Sequence, residues 1–351
     1  MKNVLFATTA LVAFAGAAAA EVGFSGVLTA GYNDETKDGL WWDADLDLSA
    51  SVDLGDNVTA TASVELFDFE KNVDISTPTA TVEIAYTGDT LSASLKMGDM
   101  DDKGASEYFY ADRDGMAIDV ENHDGDDEVR GLVEFGNFGV AIGCDMAGTG
   151  TCDAITGYNY GVGATFGSIE LGLGYDDADN GSEIWGVSAD ATFGAASVGV
   201  SYISDETAGD DSLGVAVGYD VSDALSVGVY FASNSAADDA FGASVDYTAG
   251  ALTVGVFFDH TPADTDEYGL DVSYAVNDQL TFNAGYLSGE ADVLDNGLLP
   301  PNGPAGPLID DHYYVGIDYA VNDAITATVS YSTSDEDLGD PEYMQGVSAF
   351  I

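Results

Sequence analysis

Basic residues are nearly missing from this chain. Seven Lys plus Arg stand against 63 Asp plus Glu in 351 residues, a formal charge of -56. Nucleic-acid binding needs a cationic footprint, and docking on an anionic lipid surface through charge needs one too, so both are excluded. Cysteine is scarce as well, with Cys144 and Cys152 flanking a Gly/Thr loop in CDMAGTGTC. No histidine lies beside them, which argues against zinc; the pair reads as a local disulfide of an oxidising compartment, with two free thiols as the alternative. The three histidines are His123, His260 and His312, and no G-x-S-x-G occurs. Nothing here assembles a nucleophile, a base and an orienting group, so the chain does not read as an enzyme. Beyond the N-terminus no apolar run approaches the ~20 residues of a spanning helix. Any membrane crossing must be made by strands.

The first 20 residues have the form of a secretory leader. Lys2 supplies the positive end, Val4 to Ala15 the apolar run, and Ala18-Ala19-Ala20 a small-residue cleavage site before Glu21.

High acidity with few aromatics would suggest disorder. Here 11% aromatic and 46% hydrophobic residues are laid out in strict alternation, the period of a β-strand. From Leu40 to Asp53, Trp42, Ala44, Leu46, Leu48, Ala50 and Val52 point one way; Asp43, Asp45, Asp47, Ser49, Ser51 and Asp53 point the other. An aspartate row beside a leucine row fits a sheet between two different media. Tyr313 to Val321 and Ile325 to Tyr331 repeat the pattern on either side of Asn322-Asp323, a hairpin signal.

Short turns fall at Leu54-Gly55-Asp56-Asn57, Thr87-Gly88-Asp89, Gly136-Asn137, Gly167-Ser168, Gly194-Ala195, Ser222-Asp223, Ala249-Gly250, Asn277-Asp278 and Asn322-Asp323. From Gly167 to Asn277 they recur every 27 or 28 residues, a hairpin repeat. Longer acidic loops, holding all seven prolines, join the other strand ends. Tyr219, Tyr247, Tyr274 and Tyr319 precede short turns, and Phe231, Phe258, Tyr286 and Tyr331 follow in the same outward phase. At ~3.3 Å per residue and a tilt near 40°, the eight or so residues from turn to upper aromatic rise roughly 20 Å, close to the apolar band of an outer-membrane barrel. A soluble sandwich would bury its bulkier apolar faces against each other, whereas this apolar face is modest and framed by aromatics.

One stretch breaks the rhythm. Residues 99–128 carry Asp99, Asp101, Asp102, Glu107, Asp112, Asp114, Asp119 and Glu121 among other acids, with Lys103, Arg113 and His123 as basic companions. Met116, Ile118 and Val120 alternate briefly, as a strand or as a packed loop segment.

The pattern, and the opening MKNVLFATTALVAFAGAAAAEVGFSG, resemble the Gram-negative general porins, especially those of marine α-proteobacteria. That resemblance implies a water-filled barrel, usually a homotrimer, set in outer-membrane lipid and lipopolysaccharide. It implies that the third long loop folds inward and narrows the pore, its acids facing basic residues on the wall. Residues 99–128 match that loop in order, length and charge, and Lys96 and Arg130 are the inward bases beside it. Three departures stand out. Asp43, Asp45, Asp47, Glu65, Glu83 and Glu134 make the wall mostly negative; the turn count gives twenty strands where the family typically has sixteen; and the chain finishes Phe350-Ile351 rather than on Phe.

The expectation is therefore an all-β fold: a transmembrane antiparallel up-and-down β-barrel of 16–20 strands, twenty by turn count, with an inward-folded long loop. Residues 1–20 are the cleaved leader, 21–351 a single barrel, and 99–128 the constriction loop. The function expected is passive diffusion of small hydrophilic solutes and ions with a preference for cations, because carboxylates lining a narrow lumen concentrate them. Lys96, Arg113 and Arg130 are expected to shape the narrowest point. The alternative is a non-channel structural or Ca²⁺-binding outer-membrane barrel. Asp176-Asp177, Asp210-Asp211, Asp238-Asp239 and Asp310-Asp311 would supply oxygen ligands in external loops, although no EF-hand spacing is present and no other cofactor is called for.

Overall fold

The computed structural model describes residues 21–33, 39–70, 80–98, 100, 104–118, 120, 129–146, 155–177, 183–288, 312–322, 325–333 and 346–350. Its regular elements are twenty β-strands. The first seven are β1 (Glu21–Asn33), β2 (Gly39–Gly55), β3 (Val58–Glu70), β4 (Ala80–Thr87), β5 (Leu91–Gly98), β6 (Val129–Phe135) and β7 (Phe138–Met146). The next seven are β8 (Ile155–Phe166), β9 (Ile169–Asp177), β10 (Glu183–Phe193), β11 (Ala196–Asp205), β12 (Asp210–Ser222), β13 (Leu225–Asn234) and β14 (Ala240–Ala249). The last six are β15 (Leu252–His260), β16 (Asp266–Asn277), β17 (Leu280–Ser288), β18 (His312–Asn322), β19 (Ile325–Ser332) and β20 (Gly346–Phe350).

Each strand pairs antiparallel with the next. β20 pairs with β19 and also with β1, through Gly31↔Phe350, Tyr32↔Ala349 and Asn33↔Ser348, so the ladder returns to its first strand. The seam covers the last three residues of β1, and it joins the two ends of an up-and-down ladder of the kind that crosses hydrocarbon as a barrel. The twenty strands match the turn count.

Burial is inverted relative to a soluble protein. Exposed residues include Phe24, Leu28, Phe135, Val229, Leu270 and Val315, while Arg130, Asn159, Ser201, Ser212, Asp259 and Glu267 are buried. Side chains alternate across a strand, so the two sets fall on opposite faces. The apolar set faces outward, where lipid rather than protein covers it.

The short turns have a common physical cause. Asp56 and Asn57 both adopt positive φ (54° and 64°), as a two-residue turn matched to strand twist requires. Gly167 and Gly194 enter the same left-handed region, which a Cβ would resist. Before three other turns the register slips by one residue, between Asp220 and Ser222, Ala275 and Asn277, and Ala320 and Asn322. The bulged residues, Val221, Val276 and Val321, occupy the same place in each Tyr-x-Val-x-Asp repeat, so a shared motif encodes a shared bulge.

The outward aromatics form a row near the opposite end. Phe231 stands opposite Phe241, Phe258 opposite Tyr268, and Tyr286 opposite Tyr313. Ring centroids lie 6.1 Å apart for Phe241 and Phe258, 6.2 Å for Tyr268 and Tyr286, and 6.5 Å for Tyr313 and Tyr331.

Two sequence readings need correcting. Asp176-Asp177 and Asp210-Asp211 lie within β9 and β12, not in loops. Successive residues of a strand point to opposite faces, so neither pair presents two carboxylates to one ion. Asp238 and Asp239 do lie in a loop, and Asp310-Asp311 fall outside the described residues. Among the described residues no three His, Cys, Asp or Glu side chains converge as metal ligands. The connections at that end are also uneven: 206–209, 235–239 and 261–265 are compact turns rather than long loops.

Candidate functional site

Residues 104–118 and 120 form no strand; they are a loop pressed against the inner face of the barrel. Met116, Ile118 and Val120 therefore belong to a packed loop segment. Val120 and Tyr110 join Ile184 of β10 and Ile203 of β11 in a small buried cluster, with Met116 and Ile118 against it. This is an apolar patch on an otherwise polar face, and it gives the loop a hydrophobic seat.

Glycine makes the approach possible. A Cβ on Gly161 would collide with the Ala105 carbonyl, and one on Gly172 with the Phe109 carbonyl. Gly139 and Gly163 lie under the Phe109 ring, Gly174 under Ser106. These are inward positions of β7, β8 and β9, bare of side chains along the loop's path.

Polar contacts hold the rest. The Arg113 Nη2 donates to Asp190 Oδ2 at 2.6 Å, and Nη1 to its neighbour's carbonyl, Asp112 O, at 3.1 Å. The Ala111 N–H donates to Ser188 Oγ at 3.3 Å, and the Ser201 hydroxyl donates to the Ala111 carbonyl. Asn234 of β13 clamps the turn beyond: its Oδ1 accepts from the Ala117 N–H at 2.9 Å, and its Nδ2 donates to Gly115 O at 2.9 Å. Ser212 orients that amide by donating to Oδ1 at 2.7 Å.

The predicted site residues are distributed as follows. Asp99, Asp101, Asp102, Asp119 and Glu121 lie outside the described residues. Glu107, Asp112, Arg113 and Asp114 lie on the loop, with Asp112 and Asp114 exposed and Arg113 turned to the wall. On the wall, Glu83, Lys96 and Arg130 are successive register partners across β4, β5 and β6. Arg130 is buried, its guanidinium 5.0 Å from the centre of the Tyr108 ring, a cation–π contact made by the loop. Glu134, four residues beyond Arg130 on the same face of β6, accepts from Ser92 Oγ at 3.0 Å. Asp47 lies near Ser25 Oγ at 3.5 Å and opposite Glu65 across β2 and β3. Asp43 and Asp45 pair with Glu70 and Asp68 in the backbone ladder. The disulfide reading lies outside the described residues on the Cys152 side; Cys144 lies within β7, opposite Val129 and Tyr158.

Sequence reasoning missed several members. Asp112, Arg113 and Asp114 share a cavity of about 900 Å³ with Tyr230, Asp259 and Glu267, which project inward from β13, β15 and β16. Asp259 and Glu267 face each other across the ladder, both buried. Asp190 and Asn234 were missed too. The one signal for the loop's seat was the run of inward glycines, among them Gly161, Gly163, Gly172, Gly174, Gly199 and Gly214, where other strands carry Ser, Thr or Asp.

The arrangement is a polar-lined barrel narrowed by an internal loop, with carboxylates on both loop and wall. Such an arrangement can pass water and small polar solutes.

Comparison with known proteins agrees. A family model described as Gram-negative porin matches residues 7–236 and 231–349. Among solved structures, a variant of the Rhodopseudomonas blastica porin with three substitutions aligns at 17% identity and a TM-score of 0.46, covering 76% of this chain and 94% of that one. A second triple mutant of the same porin aligns at 16% identity and a TM-score of 0.47, with 76% and 94% covered. No curated protein matches this chain. The chain belongs to the Gram-negative porin family, and is thus an outer-membrane channel rather than an enzyme.

Proposed function

We propose that this porin is a passive, cation-preferring channel for small hydrophilic solutes. The observation that carries the reading is the placement of charge. Asp112 and Asp114 are exposed on the loop, and Asp259 and Glu267 line the same cavity. Meanwhile Arg113 is spent on Asp190, and Arg130 is covered by Tyr108. A narrow lumen lined by carboxylates raises the local cation concentration and repels anions.

Asp99, Asp101, Asp102, Glu107, Asp112, Asp114, Asp119 and Glu121 are on this reading the constriction acids of a loop spanning 99–128. Asp43, Asp45, Asp47, Glu65, Glu83 and Glu134 extend the negative wall. Residues 1–20 act as the export leader of a single barrel domain, 21–351. Family membership supports a homotrimer in contact with lipopolysaccharide. A gel run with and without boiling tests the trimer: an oligomer band that boiling abolishes supports it, and a monomer in both lanes counts against it.

The test of selectivity is the reversal potential of purified protein in planar bilayers under a KCl gradient. A potential displaced toward the K⁺ equilibrium value supports the proposal. One at zero or on the chloride side ends it.

A further inference from the structure

We infer that Arg113 and Asp190 form a latch that aims the loop's carboxylates into the lumen, so that a half-buried loop–wall ion pair sets the selectivity of the channel. Its selectivity half rests on the cation-preferring reading above; its conductance half does not.

Arg113 is the only Lys or Arg among the described loop residues. Its side chain is 12% exposed and meets Asp190 at 2.6 Å. The wall is shaped to receive it. Gly199 is the register partner of Asp190 on the neighbouring strand, and a Cβ there would fall 2.6 Å from the guanidinium carbon. One on Gly214 would fall 2.6 Å from the Arg113 Cβ. Three adjacent strands, β10, β11 and β12, thus supply an acid and two bare positions that together make a socket for one arginine. With Arg113 turned into it, Asp112 and Asp114 on either side remain exposed. The polarity is the reverse of that implied by the family resemblance, since here the loop gives the base and the wall the acid. The clamp by Asn234 lies beyond the latch, at 115 and 117. Losing the pair would free residues 112–114 while leaving the following turn held.

The two partners carry opposite charge, and this separates positioning from direct field effects. If both acted only through the field in the lumen, Arg113→Gln would raise cation preference and Asp190→Asn would lower it. A latch requires both variants to move the same way, to higher single-channel conductance, noisier open current and a smaller cation-to-anion permeability ratio. The exchanged pair, Arg113→Asp with Asp190→Arg, should recover much of the wild-type behaviour. Opposite shifts, or no change in either variant, would overturn the inference. Heat-modifiability on gels checks that each barrel has folded. Asp190→Glu keeps the charge and lengthens the arm; the latch predicts altered conductance for it, and unchanged conductance counts against the latch. Should the wild type show no cation preference, the proposed function fails, while a shared conductance rise in the two single variants still supports the latch.

Discussion

At the scale of single residues, the loop is held by side chains with no local sequence signature. Asn234 serves two backbone groups of the loop, at Gly115 and Ala117, and lies more than a hundred residues from them. Asn234→Ala removes both hydrogen bonds, each worth about 0.5–1.5 kcal/mol net. The expected result is faster hydrogen exchange at Ala117 while exchange in the strands stays unchanged; equal exchange would remove the clamp from the account. Gly172 tests the seat in a different way. Gly172→Val places side-chain atoms where the Phe109 carbonyl and Ser188 Oγ now lie. The loop must lift, so conductance should rise in a barrel that still assembles, and an unchanged conductance would show that the loop does not rest there.

At the scale of elements, alternation decides what each strand tolerates. Leu270 of β16 is exposed on the outward face, and Ser273 of the same strand faces in. Arginine on the lipid face near mid-membrane costs about 2–4 kcal/mol, whereas lumen positions alter selectivity instead. Leu270→Arg should therefore lower stability in denaturant unfolding from lipid vesicles by about that amount, and Ser273→Arg should leave it nearly unchanged. Similar losses in both would contradict the facing assigned to β16. The strands and turns were legible in the sequence because period-two patterning and turn chemistry are local. Even the bulge at Val221, Val276 and Val321 was foreshadowed by the repeated letters around it. The loop's seat was not. Inward glycines such as Gly172 and Gly174 read as small residues facing water, and only the fold reveals that another segment covers them. Arg113 finds Asp190 from 77 residues away, so no spacing rule could pair them. Asp176-Asp177 misled for the opposite reason: adjacent acids read as a loop cluster, yet an acidic pair is acceptable in a strand that leaves the membrane at that end.

At the scale of the molecule, the account depends on a barrel turned inside out, its apolar side chains in lipid and its carboxylates around shared water. A net charge of -56 is compatible with a stable fold where carboxylates such as Asp112 and Asp114 stand exposed along an aqueous lumen, because counterions screen them there. The most direct test reads the two faces residue by residue. Cysteines are placed one at a time as Leu270→Cys, Asp271→Cys, Val272→Cys and Ser273→Cys, in a background carrying Cys144→Ser and Cys152→Ser, and the protein in lipid vesicles is exposed to a charged, water-soluble thiol reagent. The account predicts rapid modification at 271 and 273 and protection at 270 and 272. Uniform reactivity along the four positions, or the reverse alternation, would contradict it.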